Sequence, residues 1–167
     1  KPASTMGCLQ PASRRLSGVA DRISPAARSA NMSRVRSRDT RPELRVRRLL
    51  HRVGYRFRLH RRDLPGTPDI YLPKHKLAIF VHGCFWHGHG GCKRSKLPET
   101  RAEFWSAKIN ANRRRDAEAL HRLAERGITT VTLWECELKT DEEIVSAVER
   151  ELASAQTIAQ GGKAEVR

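Results

Sequence analysis

The segment Lys76–Cys92, KLAIFVHGCFWHGHGGC, opens with five apolar residues, Leu77 to Val81. It closes as a loop holding three histidines, two cysteines and the adjacent aromatics Phe85 and Trp86. A short apolar run bounded by turn residues reads as a buried β-strand. This strand feeds the chain directly into a cluster of metal-ligating side chains. Upstream, Asp69 to Leu72 reads as a second short strand, joined to the first by a turn around Pro73 to Lys76. Downstream, Glu99 to Gly127 carries a long helical pattern that ends at Gly127, with an apolar stripe of Leu120, Leu123 and Ala124 and a break expected near Asn110. The run ITTVTLWEC, Ile128 to Cys136, reads as a third strand, and a polar helix follows from about Asp141 to Ala155.

Before these strands, DTRPELRVRRLLHRVG, Asp39 to Gly54, has the marks of a helix: Asp39 or Thr40 to cap it, Pro42 in its first turn and Gly54 to end it. Val46, Leu50 and Val53 share one face, and Glu43 falls on that same face. Its carboxylate therefore points along the buried side, either for a functional purpose or to favour the helix dipole. Helices alternating with a few strands define a compact α/β domain, a small central sheet flanked by helices. The domain is expected over residues 38–156, after a basic flexible arm (1–37) rich in Ser, Ala, Pro and Arg and before a disordered tail (157–167).

The 167 residues carry a formal net charge of +15, with a pI near 10.8. That excess exceeds what solubility requires and makes a polyanion, above all nucleic acid, the leading partner. No long apolar run or strongly amphipathic basic helix offers a way into lipid, so no membrane association is expected. Cys8, Cys84, Cys92 and Cys136 are too few and too far apart for a disulfide scaffold, and two of them sit among histidines. Metal ligation in a reducing cytoplasm is the expected use.

Cys84, His89 and Cys92 have the spacing C-x4-H-x2-C, and Gly88, Gly90 and Gly91 give the loop freedom to bring them to one tetrahedral ion. Cys136, at the end of the third strand, is the cysteine left inside the folded region to complete a closed zinc site, although His87 could stand in for His89. Four protein ligands leave no open position, which makes this zinc structural. His82, His87 and Asp69 then remain, with inward carboxylates on two helices: Glu43, and Asp116, which extends the apolar stripe four residues before Leu120. They are suitable equipment for metal-assisted phosphodiester hydrolysis, in which Asp69 binds Mg²⁺ and a histidine takes a proton from the attacking water. Phe85 and Trp86 lie on a loop where they can stack on or wedge between bases, or else pack inward.

The segments RSRDTRPE, LPGTPDI, IFVHGCFWHGHGGC, TRAEFWSAKINANRRRD and WECELK, in this order between about Asn31 and Lys139, closely resemble the very short patch repair (Vsr) DNA mismatch endonucleases. The resemblance implies a restriction-endonuclease-like core with a structural zinc. It also implies an enzyme that nicks one strand of DNA 5′ to the thymine of a T:G mismatch left by deamination of 5-methylcytosine. Carried over by position, it makes Asp69 the Mg²⁺-binding aspartate, Val81 a Mg²⁺ contact through its backbone carbonyl, and His82 and His87 the active-site histidines. Glu43 and Asp116 match the supporting acidic positions. Cys84, His89, Cys92 and Cys136 match the zinc ligands. Phe85, Trp86 and Trp105 match aromatics inserted beside the mismatch, and Met32 matches an N-terminal residue reaching the DNA from the other groove. Two departures stand out: Val81 occupies a position where some members have Thr, and the loop before Cys92 is one residue longer than in some relatives.

The resemblance further implies a bacterial cytoplasmic monomer, nucleoid-associated when acting, that cooperates with mismatch-repair proteins. A non-catalytic, zinc-stapled DNA-binding module would have no need of Asp69, His82 and His87. A restriction-type enzyme cutting matched duplex would share them.

Overall fold

In the computed structural model, residues 24–161 are described, and the chain parts into two units at Arg34/Val35. Cys8 and most of the expected N-terminal arm lie outside the described residues. Among its described residues the first unit shows one helix, α1 (Pro25–Ser33), inside the segment read as an arm. Pro25 opens it and the Ser24 hydroxyl accepts the Ala27 N–H at 3.2 Å, a local cap in a stretch with no apolar stripe to announce a helix. Met32 lies on α1 and is 41% exposed.

The second unit is built on a four-stranded mixed sheet in the order β1–β2–β3–β4: β1 (Arg58–Leu59), β2 (Ile70–Leu72), β3 (Leu77–His82) and β4 (Thr129–Trp134). The first three strands pair antiparallel, and β4 runs parallel to β3. That parallel pairing requires a crossover, which α3 (Ala102–Glu125) supplies as one uninterrupted helix. The break expected near Asn110 is absent because Asn110 sits on the solvent side, where its weak propensity does not disturb packing. β1 went unread in the sequence, being two exposed residues inside a basic loop.

All six residues of β3 are buried, as its continuous apolar run requires of a strand covered on both faces. On one face Leu77, Ile79 and Val81 join Ile70, Leu72, Val131 and Leu133, and pack on α2 (Arg41–Arg52) and α4 (Asp141–Gly161). On the other, Ala78 and Phe80 meet Leu64, Ile128 and Leu123 of α3. The buried stripe of α3 is Ile109, Ala119 and Leu123; Leu120 is half-buried, and Ala124 faces outward.

Helix α2 begins after Thr40 with Pro42 in its first turn, as expected, and buries Glu43, Val46, Leu49 and Leu50. Val53, expected on that face, is 47% exposed, because the helix ends at Arg52 and the chain turns away toward Gly54. The expected 157–167 tail is in part helical, since α4 continues to Gly161. Arg45 and Arg52 of α2 both bond the Asp141 carboxylate at the start of α4, tying the two helices on one face of the sheet. Among the described residues, no helix is long and apolar enough to cross a membrane.

Candidate active site and metal centre

The register of the sheet sorts side chains between its two faces. Asp69, Tyr71, Phe80, His82 and Trp134 share the face that carries α3. Along it runs a cleft of about 1070 Å³, whose walls include Glu43, Asp69, Val81, His82, His87 and Asp116. Arg36, Arg38, Arg41, Lys108 and Arg115 also line it, which gives the cleft a basic margin suited to phosphate.

Asp69, just before β2, accepts the Val81 N–H through Oδ2 at 2.8 Å. Lys76 and His82 direct their carbonyls to β4, so alternation along the strand turns the Val81 carbonyl toward β2. Continuing the register from the Ile70–Ile79 pair sets Pro68 opposite Val81, and proline has no N–H to offer. A carboxylate and a donor-poor carbonyl are thus brought side by side, the oxygen chemistry that a hard divalent cation takes. Burial, reinforced by the Glu43 charge, pushes the Asp69 carboxyl up to about 6 against the pull of the Val81 N–H, a condition a bound cation would relieve.

Glu43 is 3% exposed and fully engaged. It accepts the Asp39 N–H (3.0 Å), the Thr40 hydroxyl (2.8 Å) and Arg47 Nη2 (2.7 Å). Arg47, itself buried, also bonds Asp39 and approaches His60 Nε2 at 2.9 Å. The grouping of Asp39, Glu43 and His60 therefore already contains a cation, the guanidinium, and offers no metal site. The Glu43–Arg47 pair is an i,i+4 spacing visible in the sequence.

His82 and His87 stack with ring centroids 3.7 Å apart and planes 10° from parallel. His87 Nδ1 lies 2.7 Å from Asp116 Oδ2. A carboxylate only accepts, so Nδ1 carries the proton, and in the neutral ring Nε2 keeps a lone pair. Although burial works to raise it, the Asp116 carboxyl sits below its ordinary value because of the His87 hydrogen bond and the charges of both histidines. Burial and the neighbouring His87 push His82 down to about 4, so it is a neutral imidazole at physiological pH. His82, His87 and Asp116 are close enough to suggest a metal, but the in-plane lone pairs of stacked rings run parallel and do not converge on one ion. The arrangement suits proton transfer.

Two residues further along, Cys84, His89, Cys92 and Cys136 bring four donor atoms within 4.8 Å of one another, with Cys136 Sγ 3.2 Å from His89 Nδ1. None is in a disulfide. Burial and the adjacent Cys84 and Cys92 push the Cys136 thiol up to about 12, whereas N–H groups at Arg94 and Ser95 help to lower Cys92. Three sulfurs crowded in this way ionise together only around a cation, so the group can hold a soft tetrahedral metal. Of the two histidine candidates, His89 joins this group and His87 turns to Asp116. Gly88 makes the divergence possible: at φ +61° it takes a left-handed turn, and a Cβ there would lie 2.7 Å from Ile109 of α3.

Phe85, Trp86 and Trp105 form an edge-to-face cluster with centroids 5.1–6.0 Å apart, joined by the exposed Phe104. They are half-exposed and stand outside both hydrophobic cores, at the Trp86 margin of the cleft. Lys108 lies 5.8–5.9 Å from three of these rings, and Asn112 donates to the Trp86 carbonyl at 2.7 Å, fixing the loop on α3. Neither Lys108, Asn112 nor Arg47 was singled out by spacing or motif.

The family model for DNA mismatch endonuclease Vsr matches residues 20–94. The DNA mismatch endonuclease Vsr of Escherichia coli (strain K12) is 41% identical over 152 residues, covering 86% of this chain and 97% of its own length. The chain belongs to the Vsr DNA mismatch endonuclease family. The type II nicking enzyme V.XorIIP of Xanthomonas oryzae pv. oryzae is 56% identical over 120 residues, 72% of this chain and 88% of that protein. The type II nicking enzyme V.NmeAIP of Neisseria meningitidis serogroup A is 38% identical over 121 residues, 72% and 86% respectively. As a Vsr-family member the protein is a DNA endonuclease, and the enzyme reading prevails over the binding module.

Proposed function

We propose that this Vsr-family enzyme is Mg²⁺-dependent and nicks one strand 5′ to the thymine of a T:G mismatch, initiating very short patch repair of deaminated 5-methylcytosine. The observation that carries the reading is the convergence in one basic cleft of an oxygen pair, Asp69 and the Val81 carbonyl, with the stacked His82–His87 pair braced by Asp116. A non-catalytic binder needs neither. Because Val81 acts through its backbone, its departure from Thr costs nothing in this role.

Asp69 and the Val81 carbonyl would hold Mg²⁺, which would supply Lewis-acid stabilisation of charge on the scissile phosphate. His87, with its Nδ1 proton fixed on Asp116, takes a proton from the attacking water at Nε2. His82 stays neutral and limits where the His87 ring can move. Glu43, held by its three hydrogen bonds, is the supporting carboxylate near Asp69. Cys84, His89, Cys92 and Cys136 would hold a structural Zn²⁺ in a restriction-endonuclease-like core, their four donors leaving no open position for substrate or water. Phe85, Trp86 and Trp105 insert at the mismatch, with Met32 contributing from α1. A mispaired step is cheaper to unstack, so insertion itself favours the mismatch.

The test uses end-labelled duplexes identical except for one T:G or T:A pair, in several flanking contexts, with Mg²⁺ and an Asp69→Ala control. Nicking beside the mismatched thymine alone, lost in the control, is the expected result. Equal cutting of matched DNA would overturn the mismatch assignment in favour of a restriction-type activity.

A further inference from the structure

Trp134 is the last residue of β4 and pairs in register with His82. Its ring stacks flat on His89, with centroids 4.1 Å apart and planes 3° from parallel. It meets His82 in a T-shaped contact, with centroids 5.3 Å apart and planes at 75°. His82 in turn stacks on His87, whose Nδ1 reaches Asp116. Four rings thus form one unbroken row from the Cys84–His89–Cys92–Cys136 group to the Asp116 carboxylate, with Trp134 as the spacer between the two sites.

We infer that Trp134 is a positioning residue through which the metal-bound loop fixes the His82–His87 pair in its reactive stack. The physical basis is geometric. His82 is buried against Phe80, Trp134 and His87, and packed rings hold orientation only while each face or edge has a neighbour at contact distance. Remove the indole, and His82 gains room to tilt toward the vacated volume, carrying His87 Nε2 away from the water it serves. Cys136 lies two residues beyond Trp134 on the same strand end, so one backbone segment presents both a metal ligand and the spacer. The loop delivers His89 to a face of the indole and His87 to a face of His82. On this reading the four-ligand site does more than stabilise the fold: its occupancy sets the alignment of the catalytic rings. The inference rests on the assignment of His82 and His87 to proton transfer.

The experiment compares wild type, Trp134→Leu, Trp134→Phe and His89→Cys, each as the full chain. The readouts are zinc content, affinity for a T:G duplex, single-turnover nicking at saturating protein, and the histidine imidazole ¹H–¹⁵N spectrum. Trp134→Leu is expected to keep about one zinc and a near-wild-type Kd while its nicking rate falls roughly 10- to 100-fold, the scale of a misplacement of about 1 Å. Trp134→Phe recovers most of that loss, because a ring still spans the gap. In the spectrum, the His82 and His87 signals move in Trp134→Leu as their stack loosens. His89→Cys offers four sulfurs to zinc, a common structural set, but deletes the ring beneath Trp134, and it is expected to slow nicking with zinc retained. Should Trp134→Leu not fold, His89→Cys alone decides. A variant that is zinc-loaded and nicks within about twofold of wild type overturns the inference. A rate loss in Trp134→Leu that reloading with zinc restores in full overturns it as well, because the indole would then act only by retaining the metal. A wild-type protein that nicks no T:G duplex would sink the catalytic reading itself, an outcome distinct from either.

Discussion

Two histidine–carboxylate pairs hang from one loop, two residues apart, and they differ in closeness, exposure and company. His87 meets Asp116 at 2.7 Å with both side chains roughly a quarter exposed, in a cleft lined by Asp69 and basic residues. His89 meets Glu137 at 3.5 Å, the glutamate 57% exposed, and its other nitrogen faces Cys136 among three sulfurs. The same residue type serves two ends. Where the donor set closes on itself, its binding energy goes into folding; where a base is left facing a cleft, the structure can act on a substrate. Each variant below asks whether that division is real.

The largest effect is expected at the closed end. Cys136→Ser removes the proposed zinc ligand that would tie the end of β4 to the loop. Structural zinc sites contribute on the order of 10 kcal/mol, comparable to the roughly 5–15 kcal/mol that holds a domain together. Loss of zinc and of a cooperative melt is expected. A wild-type melting curve with full zinc content would refute the structural role.

At the open end, Asp69→Ala should leave zinc content and melting nearly unchanged and abolish nicking, a fall of about 10³-fold or more if metal assistance supplies several kcal/mol of the barrier. Mismatch binding is expected to persist, because phosphate contacts supply much of the affinity. Parallel loss of binding and activity would sink the assignment. Asp116→Asn is subtler. An asparagine amide can donate to His87 Nδ1, forcing the ring proton onto Nε2, where it blocks base action. General-base contributions set the expected loss at roughly 10²- to 10⁴-fold in single-turnover rate, with zinc undisturbed. An unimpaired rate would show that the 2.7 Å contact is merely structural.

Much of this division was legible in the sequence, because spacing and hydrophobic period are local. The C-x4-H-x2-C loop, the buried run Leu77–Val81 and the Pro42–Glu43 helix start each announce themselves within a few residues. The inward direction of Glu43 and Asp116 followed from their distance to Val46 and Leu120. What stayed hidden depends on sheet register and on loops crossing helices. The choice between His87 and His89 as the metal-group histidine turned on which way Gly88 bends. Trp134, a plain strand residue in sequence, became the spacer between sites only once β4 lay beside β3. Arg47 was one arginine among many until the buried Glu43 needed its guanidinium. Helix α1 lacks an apolar stripe, and β1 is too short to show alternation.

The smallest effect, and the sharpest test of the comparison, is Glu137→Gln. Carboxylates behind a metal-bound histidine typically raise metal affinity 10- to 100-fold, but this pair is long and solvent-exposed, so about tenfold or less is expected here. Competition for zinc against a chelator should read that change, whereas nicking by the zinc-loaded protein should stay within about twofold of wild type, since the His89 ring is also held flat against Trp134. Set beside Asp116→Asn, this gives opposite signatures: one carboxylate changes metal retention and spares the rate, while the other changes the rate and spares the metal. If Glu137→Gln slowed the loaded enzyme as Asp116→Asn does, the two pairs would be parts of a single catalytic unit. The link between the closed and open sites would then run through the Glu137 carboxylate as well as through the ring packing at Trp134.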